Sequence, residues 1–142
     1  MEVLLAMLEE LGMSASLSFP GQQDILTDPN MWIGDTAATV HMTAHKQGMI
    51  SKSGEKTNVT TANGTVAESC KVGAIRGVFC DQYCNEYLKS KMMDVAHIKG
   101  PYNLYSLSKS MREGWKLEGD SKVMTLTKGD AKIFFDIKVK TP

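Results

Sequence analysis

Met31-Trp-Ile-Gly-Asp-Thr-Ala-Ala-Thr-Val-His-Met-Thr43 is the stretch on which the reading of this chain turns. A short apolar run, Met31 to Ile33, leads into Asp35, and the chain then passes through Thr36, Ala37, Ala38 and Thr39. That order places a carboxylate at the end of a strand, where small residues let the backbone turn. An acid so placed is partly shielded from water and lies close to backbone N–H groups, so its protonation is open to tuning. Taken alone, the pattern is weak, because an Asp that closes a strand and accepts a hydrogen bond from the next turn is the commoner case.

Outward from this stretch the texture is that of short β-prone runs separated by turn signals. Val59–Ala62, Val66–Val72, Val78–Asp81, Met92–Ile98, Val123–Thr127 and Ile133–Val139 join Met31–Ile33 as predicted strands. Breaks are expected at Asn63-Gly64, Gly73, Gly77, Gly119-Asp120 and Gly129-Asp130, where Gly, Asn or Asp can take turn conformations. One helix is expected over Asn103–Glu113, with Leu104, Leu107, Ser108 and Met111 on one face and Gly114 as its stop. The last thirty residues alternate apolar and polar as a hairpin does. The domain is therefore expected to be mostly β.

On the N-terminal side, Val3, Leu4, Met7, Leu8 and Leu11 recur at helical spacing, and Ser14 to Asp28 mixes Ser, Gln, Pro and Gly. This predicts residues 1–28 as a separate leader, a short helix followed by a flexible segment, ahead of a domain over 29–142. Charge divides similarly. Residues 1–45 hold six acids and no Lys or Arg, whereas the remainder sets sixteen bases against ten acids.

The whole chain of 142 residues balances sixteen basic against sixteen acidic side chains, which argues against a dedicated nucleic-acid binder. Its longest apolar run, Val3 to Leu8, is far short of the roughly 20 residues that cross a bilayer, so no membrane partner is expected. Three cysteines, an odd number, fit reduced thiols in a cytoplasmic setting better than a disulfide set. His41 with His45, and Cys80 with Cys84, stand at i,i+4, but neither pair has a matched second pair at ligand spacing, so no metal and no cofactor are expected.

Several ordered motifs together resemble the retropepsin-like aspartic proteases of copia-type LTR retrotransposons. Their pattern is Trp, two or three mostly apolar residues, Asp-Ser/Thr-Gly-Ala-Ser/Thr, one residue, then His-Met. Trp32, Asp35, Thr36, Ala38, Thr39, His41 and Met42 match it in order and spacing. Downstream, Asn63-Gly64, the Gly73–Gly77 region, Met92–Ile98, Asn103-Leu-Tyr-Ser-Leu-Ser-Lys109 and Gly114-Trp115 extend the match over residues 30–140. The chain departs from the pattern at Ala37, where the family carries Gly; the resemblance implies that Gly lets the backbone approach substrate and the paired aspartate closely, contacts that an added methyl group would crowd.

The resemblance implies an all-β fold, a closed retropepsin-like barrel with one short helix that is active as a homodimer. It implies an aspartic endopeptidase that processes a Gag-Pol polyprotein, working in the cytoplasm within the particle of the element. Asp35 would be the catalytic carboxylate, Thr36 would bond across the dimer, and Ala37, Ala38 and Thr39 would support the active-site loop. Val72, Gly73, Ala74, Ile75, Arg76 and Gly77 would form a substrate flap. Leu104 and Leu107 would pack beneath the active-site loop. The partners implied are a second copy and a polyprotein peptide. A non-catalytic dimerising module of the same fold, from a decayed or domesticated element, is the alternative.

Overall fold

The computed structural model describes residues 2–9, 28–45, 48–53, 58–60, 66–68, 71–98, 102–120 and 123–140. It is mostly β, with a closed barrel of six strands and, among the described residues, one short helix. The barrel strands are β1 (Glu2–Glu9), β2 (Met31–Asp35), β3 (Met42–Thr43), β7 (Lys71–Cys80), β8 (Glu86–His97) and β9 (Asn103–Ser106). Around the barrel they run β1-β2-β9-β3-β8-β7, and β7 closes back on β1. Closure depends on β1 dividing one of its edges. Its first half pairs with β7 at Glu2↔Val78 to Leu4↔Cys80, and its second half pairs with β13 (Ile137–Lys140) at Ala6↔Ile137 and beyond.

The other edge of β1 pairs in parallel with β2, from Leu4↔Met31 to Met7↔Gly34, and β2 pairs in parallel with β9, ending at Asp35↔Ser106. β4 (Met49–Ser53) extends the sheet beyond β7. β5 (Asn58–Thr60) and β6 (Val66–Glu68) form an antiparallel pair of their own, and β10 (Lys116–Gly119), β11 (Met124–Lys128) and β12 (Ala131–Phe135) form a three-stranded antiparallel sheet. The helix α1 spans Leu107–Arg112 directly after β9.

Val3, Leu5, Trp32, Ile75, Phe79, Tyr105 and Leu107 make the barrel core, which Leu126, Ile133 and Phe135 of the three-stranded sheet join. A second cluster of Ala6, Met31 and Ile33 lies on the opposite faces of β1 and β2. These two strands are thus covered on both sides. That explains why residues 2–9 form a strand and not the predicted helix: a strand buried on both faces loses its two-residue alternation and becomes an unbroken apolar run. The flexible segment expected to follow, over 14–28, lies almost wholly outside the described residues.

Four further expectations are corrected. Asn103–Ser106 is a strand and only Leu107–Arg112 is helical, although Gly114, at φ +98°, stops the helix as expected. Val66–Val72 divides between β6 and β7, and Ile133–Val139 divides at Asp136, after which β13 leaves the hairpin to pair with β1. Gly73 and Gly77 stand within β7 and not at turns. The predicted hairpin turn at Gly129-Asp130 does join β11 to β12, whereas the break at Asn63-Gly64 lies outside the described residues.

Candidate active-site loop

β2 delivers Asp35 to the edge of the barrel. Its residues Met31 to Gly34 are buried, and Asp35 is the first to reach partial exposure. Gly34 is needed there for space: a Cβ would stand 2.5 Å from Met7 Sδ and 3.1 Å from the Phe135 ring. Asp35 Oδ1 accepts from the Ala37 N–H at 2.8 Å, the two-residue bond that turns the chain out of the strand. Ala37 is exposed, and it is not among the non-glycine residues at positive φ, so its methyl group is accommodated without backbone strain.

The β9–α1 junction fastens this loop from one side. Ser106 Oγ donates to the Ala38 carbonyl at 2.6 Å, Ser108 Oγ donates to the Thr36 carbonyl, and Arg112 Nη2 donates to the Thr39 carbonyl at 2.7 Å. Three loop carbonyls are therefore held by three side chains within seven residues of chain. Ser106 also caps the helix, its Oγ accepting from the Lys109 N–H at 3.0 Å. Ala38 is fully buried and clusters with Met42 and Ala96, against which Leu104 packs; Leu107 sits in the barrel core. Thr36, Ala37 and Thr39 face solvent.

His41 ends the loop. It is 4% exposed, its Nδ1 accepts from the Ser106 N–H at 2.9 Å, and its carbonyl accepts from the Ala96 N–H at 2.9 Å. The imidazole lies against the Tyr105 ring with centroids 4.2 Å apart. Burial, with a smaller contribution from the Lys109 ammonium, pushes the His41 pKa down to about 3, so the ring is neutral across the ordinary pH range. Because Nδ1 accepts, Nε2 carries the proton. The ring borders a cavity of about 170 Å³ that Tyr105, Lys109, Ser110, Glu113 and Trp115 also line.

Asn103 is the second buried polar anchor. Fully enclosed, it accepts at Oδ1 from Thr43 Oγ1 at 2.8 Å and the Ala44 N–H at 3.0 Å, and its Nδ2 donates to the Pro29 carbonyl at 3.0 Å and the Met31 carbonyl at 3.2 Å. One amide thereby ties together the entry to β2, the exit from β3 and the start of β9.

The structure thus brings Asp35, Thr36, Ala37, Ala38 and Thr39 into one loop. It does not fold Val72–Gly77 into a hairpin. Those residues lie in the continuous strand β7, paired on one side with β4 and on the other with β8. A bulge on β8 opposite Ala74, with Asp94 at φ +54°, supplies the local bend that the glycines suggested. Val72–Gly77 belong to one arm of the long antiparallel β7–β8 pair, while β5–β6 is a separate antiparallel pair whose connection 61–65 lies outside the described residues. Among the described residues, no group of three His, Cys, Asp or Glu side chains is placed to hold a metal ion. Ser106, Ser108 and Arg112 were missed as loop supports, since their partners are backbone carbonyls that no side-chain pattern reveals.

No protein-family model, curated protein or solved structure matches this chain.

Proposed function

We propose that this protein is an aspartic endopeptidase, assembled as a homodimer in which Asp35 of each copy supplies one of two paired carboxylates. The observation that carries this reading is the setting of Asp35. It stands partly exposed at the end of a buried strand, in a loop whose carbonyls are fastened to the β9–α1 junction while Thr36, Ala37 and Thr39 lie at the surface.

Peptide hydrolysis without a metal or covalent intermediate needs one group to deprotonate water and another to protonate the scissile carbonyl oxygen. Two carboxylates within about 3 Å do this because they cannot both ionise readily, so they share one proton across the acid range. The chain has one Asp-Thr motif of this kind, so the second carboxylate comes from a second copy. The unprotonated Asp35 takes a proton from water, and its protonated partner donates to the carbonyl oxygen. The substrate is an extended peptide, and the resemblance to copia-type proteases makes the element's own polyprotein the substrate we favour.

The test is processing of a precursor carrying this chain with its natural flanks, near pH 5, with Asp35→Asn as control. The reading expects cleavage by the native form and none by the variant, with both folded. The alternative, a non-catalytic dimerising module of the same fold, is favoured by Ala37 standing where the resembled family has Gly; it expects no Asp35-dependent cleavage.

A further inference from the structure

We propose that His41 is a positioning residue for the Asp35 loop: its neutral imidazole holds the Ser106 backbone, Ser106 holds the Ala38 carbonyl, and protonation of the ring releases the loop. This rests on the protease reading only for its effect on cleavage. The linkage itself stands on geometry. Ser106 N–H donates to His41 Nδ1 at 2.9 Å, Ser106 Oγ donates to the Ala38 carbonyl at 2.6 Å, and Ser110 Oγ donates to the Ser106 carbonyl at 3.2 Å. Ser106 is therefore fixed at its N–H, its hydroxyl and its carbonyl, and it is fully buried. Asp35 pairs with Ser106 across β2 and β9, so a movement of Ser106 is a movement beside the carboxylate.

Of His41, Ser106, Ser110 and Ala38, which make up this linkage, only the His41 ring titrates. A protonated imidazole has N–H on both nitrogens and would set a donor against the Ser106 N–H. Its surroundings resist that change. Lys91 from β8 and Lys109 from α1 line the cavity beside it, with Glu113 engaged by Lys109 at 2.7 Å and the Tyr105 phenol on β9. Burial keeps the ring neutral down to about pH 3, so near pH 5 its Nδ1 remains an acceptor for the Ser106 N–H. The loop is thus held at that pH and freed only where the ring takes up a proton.

Two substitutions separate positioning from packing. His41→Asn places an oxygen acceptor where Nδ1 stands and cannot titrate, whereas His41→Leu removes the acceptor and keeps the bulk. With the full chain and its precursor near pH 5, we expect His41→Leu to lose about a hundredfold in kcat with little change in KM, since a small misplacement of a reacting group has that cost. His41→Asn should stay within about threefold of native. Equal kcat for native and His41→Leu overturns the proposal. Should His41→Leu fail to fold, Ser106→Ala removes the hydroxyl link and should show the same loss confined to kcat; native kcat in that variant overturns the proposal equally. Nitrogen NMR of the His41 ring gives a readout independent of cleavage. It should show a proton on Nε2, none on Nδ1, and protection of the Ser106 amide that His41→Asn retains and His41→Leu loses. A proton on Nδ1 overturns the proposal even if cleavage occurs, and absence of Asp35-dependent cleavage with the expected ring state defeats the protease reading alone.

Discussion

Asn103 shows how a single side chain organises the loop's foundations. It bonds four backbone and side-chain groups from two other segments of chain, and all four lose that bond without it, although Thr43 Oγ1 keeps its bonds to His45. Asn103→Ala should therefore cost roughly 2–4 kcal/mol, because the orphaned groups stay buried, and urea unfolding would measure the shift in midpoint at unchanged slope. His41 makes a second residue-scale prediction, this time in pH. Its ordinary pKa of 6.5 falls to about 3 on folding, so the unfolded chain binds the extra proton. The associated stability is complete above about pH 6.5 and drains away as pH falls towards 3, at about 1.4 kcal/mol per unit. Between pH 7 and pH 4, native protein should lose about 3 kcal/mol more than His41→Asn, as measured by denaturant titration at both pH values. At this scale the sequence was informative where chemistry resides in side-chain identity. Asp35, His41 and Asn103 all stood in recognisable motifs, whereas Ser106, Ser108 and Arg112 act on carbonyls whose location only the folded backbone defines.

Elements were legible where one face meets water and obscure where both are buried. The β11–β12 hairpin has exposed Lys128, Gly129, Asp130 and Lys132 against buried Leu126 and Ile133, and its alternation predicted it. β1 sends Val3 and Leu5 into one cluster and Ala6 into the other, and the resulting apolar run imitated a helix. Leu104 and Leu107 share helical spacing but belong to β9 and α1 respectively, so the helix was predicted one strand too early. β1 is the element on which closure depends. Leu5→Ala should cost about 2–5 kcal/mol, because the fully buried side chain faces the barrel core, and thermal unfolding would report it as a lowered Tm. Gly34 sits where β2 passes closest to its neighbours. Gly34→Val should destabilise by about 1–3 kcal/mol, since the Phe135 ring is itself buried and Met7 alone must give way; circular dichroism melts would show it.

The whole molecule joins a closed six-stranded barrel to a loop that presents a partly exposed carboxylate at the end of a buried strand. The loop is fastened through its carbonyls to the β9–α1 junction, and Thr36, Ala37 and Thr39 lie on its solvent-facing side. The mostly β class and the closed barrel were readable from the spacing of turns and from the family resemblance. The tie between β1 and β13 was not, because it joins residues 6–9 to residues 137–140, and local sequence carries no record of parallel partners so far apart. On the proposed reading, each active site needs Asp35 from two chains. The most direct measurement mixes native and Asp35→Asn protein at fixed total concentration, allows subunits to exchange, and follows precursor cleavage near pH 5. If both carboxylates are required, an equal mixture cleaves at about one quarter of the native rate, because only native pairs are active. A rate of about one half, proportional to the native fraction, would mean that each chain acts alone and would contradict the account.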